Sequence, residues 1–216
     1  MRGIARGGFF WILASFLLTL VFLCLMFLLQ GNVVVVTGFF CCLFFIVSLL
    51  LLIFFRDPER IIGNGVVAVA DGEIREITSV HDEEIGGCIL ISTFMNIHNV
   101  HVNRMPLDGQ ISTLQHYPGA HIPAFQKESE RNERVVLMVD TSIGTIKIIQ
   151  IAGTVARRIV PYVIQGDMLR KGDKIGIIRL GSRVDVLLPT KKIKQVTVTA
   201  HDKVKAGEAT IAELYD

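Results

Sequence analysis

The 216 residues carry a formal net charge of only +2, from 22 Lys and Arg against 20 Asp and Glu. When the flanks of two apolar runs are set aside (Arg2, Arg6, Arg56, Arg60, Asp57 and Glu59), residues 61–216 hold 18 of each sign. That balance lacks the basic footprint of nucleic-acid binding, so no nucleic-acid partner is expected. The four cysteines have neither a disulfide-framework nor a zinc-site spacing, which fits a reducing compartment.

The first apolar run extends from Phe9 to Leu29 and the second from Val33 to Phe55, both without a charge. Each is long enough to cross a bilayer core of about 30 Å as a helix, and neither has a polar face. A cleaved signal peptide would be shorter and would not lead directly into a second span. Only Gln30, Gly31 and Asn32 separate the runs, which predicts a transmembrane helical hairpin. Arg2 and Arg6 precede it and Arg56 and Arg60 follow it, so the positive-inside rule puts the rest of the chain on the cytoplasmic side of the cell membrane. The expected division is a membrane anchor over 1–60 and a soluble domain over 61–216.

After Arg60 the sequence turns to short β-branched runs broken by glycine: VVAVA (66–70), EIREITSV (73–80), CILIST (88–93), RVVLMVD (134–140), GTIKIIQIAG (144–153) and KIGIIRL (174–180). Turn signals stand at Asp71-Gly72, Gly86-Gly87, Asp108-Gly109 and Gly172-Asp173. Many short strands at this spacing predict a compact, mainly β domain of α+β type. The stretch Gly119 to Arg134 is polar, with a helical turn expected near Phe125 to Arg131. Residues 152–178, AGTVARRIVPYVIQGDMLRKGDKIGII, resemble the half-motif of biotinyl and lipoyl domains, which implies a barrel-sandwich hybrid with extra strands. The tail after Pro189 reads as one further strand pair without assigned chemistry.

Three constellations carry candidate chemistry. Ser182 follows Gly181 at the end of an apolar strand, and a second apolar stretch, VDVLLP, resumes directly. A glycine there leaves its carbonyl carbon unshielded for attack by the neighbouring hydroxyl, although Gly-Ser is also common in turns. His98 and His101 are three apart, a spacing that shares a face in a helical turn and splits faces in a strand. A zinc hydrolase built on this pair needs a third ligand; Asp71, His116 and His121 are available, but no recognised spacing links them. Asp71, in Ala-Asp-Gly, is either a tight-turn residue or a carboxylate that orients a histidine.

In order along the chain, FFRDPER (54–60), VVAVADGEI (66–74), FMNIHNVHVNRMPLDG (94–109), YPGAHIPAFQKESERNER (117–134) and GDMLRKGDKIGIIRLGSRVDVLLP (166–189) together resemble the phosphatidylserine decarboxylase family in its short prokaryotic form. The resemblance implies a lyase that decarboxylates phosphatidylserine, or an archaeal serine phospholipid, to the ethanolamine lipid. Its cofactor would be a covalent pyruvoyl group made from Ser182 when the chain cuts itself between Gly181 and Ser182. Asp71 and His101 match the family's acid and histidine, completing an Asp-His-Ser triad, and His98 matches a second histidine. Many members read Leu-Gly-Ser-Thr at the cut, whereas this chain has Leu180-Gly181-Ser182-Arg183; Arg183 becomes a candidate partner of the substrate phosphate or carboxylate. The partners implied are the membrane phospholipid, the chain's own two fragments and a second copy in a homodimer, with no metal. The rival reading is a tethered carrier or adaptor module. A carrier presents a modifiable lysine at its hairpin tip, and none occurs between Gly153 and Gly166.

Overall fold

The structure, a computed structural model, describes residues 3–119, 132–153, 158–179 and 182–215. The chain forms two compact units, Met1–Glu59 and Arg60–Asp216.

In the first unit a short strand β1 (Gly3–Ile4) leads into helices α1 (Phe9–Leu28) and α2 (Asn32–Phe54), and β2 (Arg56–Asp57) returns antiparallel to β1. Both helices are long and apolar enough to cross a membrane. Their packing is inverted relative to a water-soluble helix pair. Ser15, Thr19, Thr37 and Ser48 are buried, while Phe10, Phe27, Val35 and Phe39 stand exposed. The small polar side chains are satisfied inside the pair: Ser48 Oγ donates to Ser15 Oγ across it at 3.0 Å, and Thr19 Oγ1 donates to the Ser15 carbonyl at 3.0 Å. The Ser48–Ser15 bond is the kind of contact between small residues that holds helices together where lipid offers no hydrophobic drive. The rings of Phe22, Phe40 and Phe44 stack beside them, with centroids 5.3–6.5 Å apart.

The second unit is built mainly of strands, and those among the described residues pair antiparallel. In chain order they are β3 (Val66–Val67), β4 (Gly72–Asp82), β5 (Gly86–Met95), β6 (Val102–Arg104), β7 (Gly109–Tyr117), β8 (Arg134–Thr141), β9 (Gly144–Ile151), β10 (Ile159–Pro161), β11 (Met168–Leu169), β12 (Lys174–Ile178), β13 (Ser182–Pro189), β14 (Ile193–Val196), β15 (Lys203–Val204) and β16 (Thr210–Leu214). A curled eight-stranded sheet has the order β11-β7-β8-β9-β13-β5-β4-β15, and two three-stranded sheets, β10-β12-β6 and β14-β16-β3, pack with it. The architecture is the mainly β domain with an N-terminal helical hairpin that the sequence predicts.

Alternation along the strands fixes which face is core. Val184, Val186 and Leu188 of β13 join Ile146 and Ile148 of β9 and Ile91 of β5 in one apolar cluster. Each such buried side chain contributes about 1.5–3 kcal/mol. The Gly86-Gly87 signal marks a hairpin between β4 and β5: the turn runs through 83–85, and Gly86, at φ +76°, opens β5 opposite Asp82.

Three local expectations are revised. Of VVAVA, only Val66–Val67 is strand. Asp71-Gly72 is no hairpin turn, because β3 pairs with β16 while β4 pairs with β5 and β15. Glycine is needed there for another reason: a Cβ on Gly72 would lie 2.1 Å from the Phe94 carbonyl oxygen. The tail forms more than a strand pair, since β16 closes on β3 and β15 closes on β4. The helical turn expected near 125–131 lies outside the described residues.

Candidate active site

Ser182 opens β13, a central strand bonded on both sides. It pairs with Met95 of β5, and the next residue, Arg183, pairs with Phe94 of β5 and Ile151 of β9. Because side chains alternate, Ser182 shares the core face with Val184 and Val186. It is completely buried, and its Oγ has no hydrogen-bond partner among the described residues. A buried hydroxyl in that state costs roughly 1–3 kcal/mol, so this one calls for a functional account. Gly181, on the other side of the expected cut, lies outside the described residues.

His101 is also completely buried. Its carbonyl accepts from the Ile178 amide at 3.3 Å, at the end of β12 and four residues ahead of Ser182. Its Nδ1 lies 2.9 Å from the Asn99 carbonyl oxygen. Just beyond it, Asn103 of β6 donates from Nδ2 to Met95 Sδ at 3.7 Å, and Gln150 of β9 donates from Nε2 to Asn103 Oδ1 at 2.7 Å. Met95 faces Ser182 across the strand pair, so β5, β6, β9 and β13 converge on one buried polar patch. The sequence reading missed Asn103 and Gln150. Their only sequence signal is a polar residue at a core-facing strand position.

His98 and His101 occupy different environments. The chain leaves β5 through a turn in which Asn99 N donates to the Asn96 carbonyl, and this leaves His98 exposed while His101 goes inside. His116 has its Nε2 2.9 Å from Glu133 Oε1, away from the histidine pair in sequence, and His121 lies outside the described residues. Among the described residues, no three His, Cys, Asp or Glu side chains form a set that could hold a metal ion.

Asp71 is buried at the entrance of β4. Its carboxylate accepts from Arg60 Nη2 at 2.8 and 3.0 Å and from the Ala206 amide at 2.8 Å. Arg60 Nη1 also lies 3.3 Å from Glu208. The carboxylate therefore hydrogen-bonds to Arg60 and the tail segment rather than directly to His101. The Val69 carbonyl accepts from Arg104 N at 2.8 Å, which runs the segment before Asp71 alongside β6.

Arg183 points to the opposite face of the sheet from Ser182. There it pairs with Asp185 at 2.8 Å, and both line a cavity of about 330 Å³ with Arg134, Ile149, Ile151 and Leu187. A second ion pair stands on that face: Lys147 Nζ lies between Asp82 and Glu84. Burial works against both charged forms, yet the mutual hydrogen bonds win, holding the Asp82 carboxyl below its ordinary value and the Lys147 ammonium above its own.

The site thus brings a buried serine at the head of a central strand and a buried histidine into one mainly β domain. The chain belongs to the phosphatidylserine decarboxylase family, whose model matches residues 47–212. It is similar to a phosphatidylserine decarboxylase proenzyme of Streptomyces avermitilis, 54% identical over 159 residues that cover 73% of this chain and 71% of the relative. A protein of the same name from Paraburkholderia phymatum is 43% identical, covering 74% and 78% of the two chains. A Methanococcoides burtonii protein, provisionally named an archaetidylserine decarboxylase proenzyme, is 42% identical, covering 74% and 73%.

Proposed function

We propose that this chain is a proenzyme that cuts itself between Gly181 and Ser182 and then decarboxylates phosphatidylserine to the ethanolamine phospholipid. The observation that carries the reading is the buried Ser182 Oγ, which has no hydrogen-bond partner among the described residues, at the start of β13. A pyruvoyl group arises from a serine at a new chain start, and Ser182 fits that origin by residue type and by its unused hydroxyl.

His101 is the general base for maturation, taking the proton from Ser182 Oγ, which is otherwise a weak nucleophile. The hydroxyl attacks the Gly181 carbonyl and the peptide bond becomes an ester. Elimination then frees a fragment ending at Gly181 and leaves a dehydroalanine at 182, from which water releases ammonia. Asp71 is the acidic member of the triad. Held by Arg60 and Ala206, it acts on His101 through its charge rather than through a direct bond.

Once formed, the pyruvoyl group supplies an electron sink for the carboxylate's departure. His101 then returns a proton to the substrate carbon, and the exposed His98 is a helper at the mouth of the site. Arg183, expected from the sequence to meet the lipid phosphate or carboxylate, is paired with Asp185 on the sheet face opposite Ser182, so it is not placed to contact a lipid held at Ser182. The hairpin keeps the domain at the cytoplasmic membrane surface where the headgroup lies, and the functional unit is a homodimer. The similarity to the M. burtonii protein favours a second substrate reading, an archaeal serine phospholipid, because the chemistry acts on the headgroup alone.

The test is intact-mass analysis of the purified chain beside Ser182→Ala. Two fragments meeting at Gly181, the smaller blocked at its start by a pyruvoyl group, are expected, with the variant whole. A wild type of full-length mass refutes the reading.

A further inference from the structure

The segment between β5 and β6 holds a feature that the triad does not use. Asn96 and Asn99 are bonded reciprocally: Asn99 N donates to the Asn96 carbonyl at 2.9 Å, and Asn96 N donates to Asn99 Oδ1 at 2.8 Å. This clasp is anchored at Met95, the residue paired with Ser182. The carbonyl of Asn99 then meets His101 Nδ1 at 2.9 Å. A carbonyl oxygen carries no hydrogen, so Nδ1 must be the donor. In the neutral ring this leaves Nε2, itself buried, as the basic nitrogen. The backbone of His101 is held as well, through its carbonyl and Ile178 N.

We propose that Asn99 is a positioning residue that sets the tautomer and orientation of His101, the task a carboxylate performs in Ser-His-Asp sites. The Asp71 carboxylate is engaged by Arg60 and Ala206, so it is not the group that holds Nδ1. The Asn99 side chain clasps Asn96 and aims the carbonyl, the carbonyl fixes the ring proton on Nδ1, and Nε2 is left to accept the serine proton. Aspartate at 99 would keep the acceptor for Asn96 N, whereas alanine would release the turn. This role rests on the self-cleavage reading above.

Two measurements on the full chain decide it. The first follows self-cleavage by intact mass after a pulse of synthesis. Asn99→Ala should cut about tenfold more slowly, the effect of one hydrogen bond, and Asn99→Asp should cut within about twofold of wild type. The second records the ring-nitrogen resonances of His101 in ¹⁵N-histidine-labelled Ser182→Ala protein, assigned by their loss in His101→Gln. Hydrogen on Nδ1 with Nε2 bare is expected, giving way to a tautomer mixture when Asn99→Ala is added. A ring protonated at Nε2 in Ser182→Ala, or an Asn99→Ala chain that cuts at the wild-type rate, overturns the role of Asn99. A wild type that stays whole overturns the self-cleavage reading alone, and the ring spectrum still decides what Asn99 does.

Discussion

Replacing Arg60 by alanine removes the guanidinium that holds both oxygens of the Asp71 carboxylate, at 2.8 and 3.0 Å, in a setting where the two side chains are only 6% and 9% exposed. Asp71 keeps the Ala206 amide but loses its counter-charge. Breaking a buried pair by removing one partner costs about 3–5 kcal/mol, chiefly because the surviving charge stays desolvated. The retained amide bond argues for the lower end, near 3 kcal/mol. Glu208 adds little, since it is about a third exposed and can rehydrate. For a domain spanning residues 60–216, each kcal/mol shifts Tm by about 2–4 °C, so a fall of about 6–12 °C is expected. Scanning calorimetry of Ser182→Ala, with and without Arg60→Ala, measures this on uncut chains. Arg60→Met combined with Asp71→Leu should recover most of the loss, because no lone charge then remains. An Arg60→Ala chain melting within about 2 °C of its parent would refute the reasoning.

Lys147→Met should destabilise by roughly 1–3 kcal/mol, between a surface and a fully buried ion pair. The Asp82 carboxyl titrates lower in the folded protein, so its share is present above the ordinary value of 3.8 and is lost as pH falls through the folded value. Lys147 titrates higher, so its share is present below 10.5 and is lost as pH rises past the folded value. Denaturant titrations should therefore give a constant difference from wild type between about pH 5 and 9 that narrows below about pH 4; a difference that grows in acid would contradict the pairing. Gly72→Ala sets a methyl 2.1 Å from the Phe94 carbonyl and should cost about 2–4 kcal/mol by the same measurement, and a neutral result would show that β4 and β5 can part there without penalty.

What was legible in the sequence was what local physics writes down. Charge-free runs of helix-spanning length gave both helices to within a residue or two, and β-branched runs gave β4, β5, β8, β9 and β12. Periodicity could not say which strands neighbour one another, and that set the errors. Arg60 read as a membrane-flanking charge, because nothing near it shows that it meets Asp71. Asp71-Gly72 read as a turn because the dipeptide usually is one, whereas Gly72 is there for the approach of Phe94. The tail read as chemically idle, since Ala206 lies 135 residues from the carboxylate it donates to. Ser182, His101 and Asp71 came from motif order, and only coordinates could say that Nδ1 of His101 meets a backbone carbonyl.

The pairing of β13 has a consequence for how the molecule can be made and unmade. The stretch from Ser182 onward supplies a central strand of the large sheet, the edge strand β15, and two of the three strands of a small one. A cut ahead of Ser182 leaves those strands seated and turns an intrachain fold into a two-chain one. Reassembly would then be a bimolecular encounter between a short β fragment and an opened sheet with its apolar face bare. On the proposed cleavage, folding has to come before cutting, and the cut protein should melt in one direction only, with an apparent Tm that follows scan rate while Ser182→Ala refolds. The protein's working lifetime is then a matter of rate rather than of equilibrium.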